Sequence, residues 1–106
     1  VRASEVLMRA HGVLRERGWG QGLMESADGR VCAVGAIRLA AGATFCAIYT
    51  MTDEQYLASE TARDYLSSVI GGARDVDWND RQRNVGKVLA ALDCAASAAL
   101  SDEAAE

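Results

Sequence analysis

The sequence predicts a mainly α, single domain of about four helices over residues 1–106, with room for a short β-hairpin between the first and second. Three observations carry this. The 106 residues include no Pro and twenty Ala, which favours helix and leaves few large apolar side chains. Apolar residues recur at helical spacing in several windows, and glycines fall where those windows stop. No internal repeat or long linker divides the chain.

Ser4 is placed to cap a first helix, with Glu5 favourable against the helix dipole. Val6, Ala10, Val13, Leu14 and Arg17 follow the helical spacing, and Gly18 supplies the left-handed residue that ends it. Trp19 to Arg30 reads as loop or short hairpin: "GLMES" offers a strand and "ADGR" at 27–30 a turn. "VCAVGAIRLAAG" is apolar around nearly its whole circumference, which favours a buried helix ending at Gly42. A buried strand from Val31 to Ile37 competes with it. "ATFCAIYTM" has strand character without a clear assignment.

Thr52-Asp53-Glu54-Gln55 matches a capping box. Ala58, Ala62, Tyr65, Leu66 and Val69 share one face of the helix behind it, and Gly71-Gly72 end that helix. A second box at Asn79 to Gln82 opens the last helix, where Val85, Val88, Leu89, Leu92, Ala95, Ala96 and Ala99 repeat at helical spacing. The acidic "SDEAAE" at 101–106 is expected to fray. The Ala-rich second and last helices are expected to pack together, because small side chains permit close approach.

A net charge of −4 disfavours nucleic acid, since phosphate neutralisation needs a basic surface. There is no uninterrupted apolar run of about 18 residues, so no membrane helix is expected. Charges recur through the first eighteen residues, unlike a signal peptide. Three widely spaced cysteines, Cys32, Cys46 and Cys94, suit a reducing cytoplasm better than a disulfide framework.

Candidate chemistry is sparse. "GWGQG" lacks the Lys-Ser/Thr of a phosphate loop, and Trp19 blocks close backbone approach. His11 is the only histidine and no two cysteines have metal-ligand spacing, so no metal or other cofactor is expected. Asp75, Asp77, Asn79 and Asp80 lack the central Gly and distal Glu of a calcium loop. Cys32 lies where a helix N-terminus can depress a thiol pKa, and a cysteine enzyme would need His11 and Asp80 as base and orienting group. The competing role for Cys32 is that of a small buried hydrophobe.

Trp19 and Trp78 each stand beside a helix end. They are expected to lie on one side of the domain, mostly buried, with residues 19–22 close to 77–80. Each indole N–H then needs an acceptor. Gln21, Asn79 and Asp80 would form a polar rim around the pair.

"RGWGQG", "GRVCAVGAI" and "WNDRQRNVGKVLAAL" together resemble a family of small actinobacterial and actinophage proteins of unknown function. Gly18, Trp19, Gly22, Cys32, Gly35, Ala36 and Trp78-Asn79-Asp80 carry the resemblance, which spans most of the chain apart from Ala43–Met51. It implies a single small domain and brings no activity, substrate or cofactor.

The functional expectation is a cytoplasmic, non-enzymatic binding or regulatory module for a protein partner, using Trp19, Gln21, Trp78, Asn79 and Asp80. Homo-oligomerisation is compatible with it. The alternatives are a cysteine-dependent enzyme built on Cys32 and a DNA-binding helical protein using Arg74, Arg81 and Arg83.

Overall fold

The computed structural model describes all 106 residues as five α-helices: α1 (Ala3–Arg17), α2 (Ala33–Ala41), α3 (Asp53–Val69), α4 (Asp75–Arg81) and α5 (Val85–Ala104), with a 3-10 turn at Ile48–Thr50. The mainly helical expectation stands, but with five helices. The segment read as the opening of the last helix forms α4, and Gln82 and Asn84 are extended between it and α5. The reason is the fate of Asn79. Its side chain turns into the core instead of capping a helix behind it, so the chain must restart at Asn84.

α1 is central. It packs against α5 on one side and α2 on the other, and α3 closes the bundle by touching both of them. Val6, Leu7 and Leu14 of α1 are sealed, and each contributes roughly 1.5–3 kcal/mol through burial. The expected close packing of α2 on α5 is therefore not found: α1, not a small-residue seam, fills the space between them. Ile37, Leu66, Val88 and Leu92 complete the core from the other helices.

Several local expectations hold. Gly18 ends α1 at φ 90°, its N–H bonded to the Leu14 carbonyl. The Thr52–Gln55 capping box is complete, with the Gln55 N–H donating to Thr52 Oγ1 at 3.1 Å and the Thr52 N–H donating to Gln55 Oε1 at 2.9 Å. Residues 33–41 are helix rather than strand, and only Val31 and Cys32 before them are extended enough to pair.

The hairpin does not form. The turn at Asp28-Gly29 is present, but Val31 makes one isolated bridge to Trp19 and another to Glu25. Neither bridge extends to a second residue pair, so no strand is formed on either side of Val31. Ser4 is not the cap of α1 either; it lies within the first turn, and its hydroxyl donates to Glu103 Oε1 at 3.0 Å. The same bond pins the acidic tail, so α5 stays helical to Ala104 and does not fray at Ser101. No helix is long and apolar enough to cross a membrane.

A further tie joins α3 to α4. Arg63 donates from Nε to Asp75 Oδ2 at 2.8 Å and from its terminal nitrogen to Oδ1 at 3.0 Å. Asp75 is buried, and this two-pronged pairing is what makes burial of its charge tolerable.

Candidate functional site

The segment after Gly18 runs along α4, and a buried side chain of α4 is its first fastening. Asn79 is wholly buried, and its carboxamide makes four hydrogen bonds. Oδ1 accepts from the Trp19 indole N–H at 2.8 Å and from the Ala33 backbone N–H at 3.0 Å. Nδ2 donates to the Gly20 carbonyl at 3.1 Å and to Asp80 Oδ1 at 3.2 Å. Ala33 is the first residue of α2, where backbone N–H groups have no partner within the helix. Asn79 thus caps α2 from a distant part of the chain while holding the tryptophan loop.

Gln21 does the complementary work on the last carbonyls of α4. Its amide nitrogen lies 3.2, 3.0 and 2.7 Å from the carbonyl oxygens of Asn79, Asp80 and Gln82. The Gly22 N–H donates to Asp80 Oδ1 at 2.9 Å. A helix as short as α4 is marginal by itself, so these outside partners decide whether it forms.

The structure therefore brings residues 19–22 and 77–80 together. Both tryptophans pack against the core with most of each ring covered, as expected. Only the Trp19 N–H has an acceptor in the protein. Asn79, expected on an accessible rim, is enclosed because all its polar atoms are needed inside. Gln21 and Asp80 remain exposed.

The three residues of the cysteine-enzyme alternative are not assembled. His11 on α1 faces α5, with Nε2 3.5 Å from Asp93 Oδ2. Asp80 is engaged with Gly22 and Asn79. Cys32 is 2% exposed and occupies the N-cap of α2, where Sγ accepts from the Gly35 N–H at 3.4 Å. Burial pushes its thiol pKa up, and the backbone N–H groups of Gly35 and Val34 only partly offset this. Desolvation outweighs the helix dipole.

Cys46, which sequence reading assigned no role, lies against the same glycine, its Sγ 3.5 Å from the Gly35 carbonyl. Its pKa is pushed up to about 12, chiefly by burial and then by Glu25. Cys94 is exposed. Iodoacetamide at neutral pH should therefore alkylate native protein at Cys94 first, with Cys32 and Cys46 reacting only once the fold opens. Peptide mapping showing rapid modification of Cys32 would restore the nucleophile reading.

The DNA-binding triad is also split. Arg74, at the start of α4, lies 3.8 Å from Asp77 and borders a cavity with Glu60, Asp64 and Asp75, whereas Arg81 and Arg83 lie at the far end of that helix.

Sequence reasoning passed over the loop between α2 and α3. Phe45 and Cys46 adopt φ of 57° and 58°, a conformation unfavourable for non-glycine residues. The strained turn tucks Cys46 inside while leaving Phe45 75% and Tyr49 87% exposed. Unassigned strand-like residues beside Gly42 were the available signal.

The fold and this geometry define a small five-helix domain in which a buried carboxamide ties the loop after the first helix to the start of the second. The chain belongs to a family of unknown function (DUF6197), whose model matches residues 1–98. Comparison with curated proteins found no match, and comparison with solved structures found none either.

Proposed function

We propose that the domain is a cytoplasmic, non-enzymatic binding module for a protein partner. The supporting observation is a set of apolar side chains turned to solvent on two adjoining loops. Phe45, Ile48 and Tyr49 are exposed on one loop and Leu23 on another. The two loops meet over Gly35: an added Cβ there would lie 3.1 Å from the Met24 carbonyl carbon and 3.2 Å from Cys46 Sγ. Clustered exposed aromatic and aliphatic residues are characteristic of interaction sites. Gln21 and Asp80 border the Leu23 loop, and Asn79 fixes the start of that loop through the Trp19 indole and the Gly20 carbonyl. The partner fits this description if it offers an apolar patch with a basic rim, facing Asp80 on a chain of net charge −4.

A photo-crosslinking residue in place of Tyr49 should capture a defined protein in source cells, and the same residue in place of Thr61 should not. The captured protein, once purified, should bind the wild-type domain at least about tenfold more tightly than a Phe45→Ser/Tyr49→Ser variant. Identical capture from both positions, or equal affinity of the variant, would refute the proposal.

A further inference from the structure

At the junction of α4 and α5, Arg81, Gln82, Arg83, Asn84 and Lys87 line a cavity of about 250 Å³ that no hydrophobic residue borders. Arg9, Arg17, Arg30, Arg63 and Arg74 each lie 2.8 to 3.8 Å from a carboxylate. Arg81, Arg83 and Lys87 have no such partner, and their side chains make no hydrogen bond within the protein. Three like charges sharing one small concavity repel each other, and no carboxylate forms a close ion pair with any of them. The linker between them is nevertheless held in shape: Gln21 donates to the Gln82 carbonyl, and the Gln82 side chain donates to the Trp78 carbonyl at 2.9 Å. The concavity is preorganised, cationic and unfilled by the chain's own acids.

We infer that this cavity binds a phosphate group carried by a small soluble anion. Two guanidinium forks match phosphate oxygens in pairs, and the ammonium adds a point charge. The side chain of Asn84 does not cap α5, so the first N–H groups of that helix also stay free beside the cations. No hydrophobic or aromatic residue lines the cavity, so the phosphate is the recognised group, not an attached base. Three cations on a chain of net charge −4 suit one or two phosphates better than a duplex.

Amide NMR titrations with inorganic phosphate, pyrophosphate and a nucleoside diphosphate test this. Signals from Val85 to Lys87 should shift to saturation, with pyrophosphate and the nucleoside diphosphate within about twofold of each other. Both should bind about tenfold more tightly than phosphate. An Arg83→Gln/Lys87→Gln variant should keep the remaining spectrum and weaken binding by at least about tenfold. Equal shifts from sodium chloride at matched ionic strength would overturn the inference, as would undiminished binding by the variant. Tighter binding of a short DNA duplex than of pyrophosphate would replace it with a nucleic-acid site.

Discussion

Asn79→Ala should lower the stability of the domain by about 3–4 kcal/mol, because it strands several buried groups at once. Removing the carboxamide leaves the Ala33 N–H without an acceptor in a place water does not reach, since Ala33 is wholly buried. It also unpairs the Gly20 carbonyl and frees the Trp19 indole. Each stranded group costs roughly 1–3 kcal/mol, with the partly exposed indole at the low end because solvent can replace its partner. Against a total of about 5–15 kcal/mol this is a large fraction, and it should lower the melting temperature by roughly 15–25 °C. A loss below about 1 kcal/mol in urea titrations would mean that the clamp is decorative.

Asn79→Asp refines the test through pH. One carboxylate oxygen can still accept from Trp19 and Ala33, but the other would face the Gly20 carbonyl and the Asp80 carboxylate. Burial and the neighbouring charge both raise the folded-state pKa of the introduced acid above its unfolded value. Its contribution is then fully present below the unfolded pKa and is lost as pH rises through the folded one. The stability gap to wild type should be widest at neutral pH and narrow towards about pH 4.

How far the fold was legible follows from where its determinants lie. Helical periodicity, the Gly18 stop and the Thr52–Gln55 box are properties of adjacent residues, and those elements appear where the sequence places them. Asn79 shows the opposite case. An Asn before an apolar run is ordinarily a cap, and only the distant Trp19 and Ala33 turn it into an internal clamp, splitting the expected helix in two. Ser4 likewise left its capping role for Glu103, 99 residues away. The proximity of residues 19–22 and 77–80 was readable from Trp19, whose indole N–H needs an acceptor and finds it in Asn79, whereas the Trp78 N–H finds none in the protein. The exposed loop around Phe45 was not, because its strained backbone follows from Cys46 seeking the core and no periodic signal marks that.

Gly35→Ala and Gly12→Ala should have opposite signs, although both put a methyl group inside an α-helix. In an unobstructed helix the change stabilises by about 0.5–1 kcal/mol, since Gly loses more backbone freedom on folding. Gly12, on the exposed face of α1, has nothing within 4 Å of the added carbon and should show that gain. At Gly35 the added carbon would overlap the Met24 carbonyl oxygen, and it would also press on Cys46 Sγ. Neither neighbour can yield cheaply. The Met24 carbonyl accepts from the Cys32 N–H at 3.2 Å, which anchors the chain entering α2. Cys46 is held by a backbone already at positive φ, with the Arg38 guanidinium donating to its carbonyl at 3.3 Å. Overpacking of this kind costs at least about 2 kcal/mol, enough to reverse the helix-propensity gain. It should also loosen both loops that present Leu23 and Phe45, so native alkylation of Cys46 should accelerate in Gly35→Ala and stay slow in Gly12→Ala. Equal stabilisation by the two substitutions would show that the Met24 loop gives way freely, and the two loops would then not be locked over Gly35.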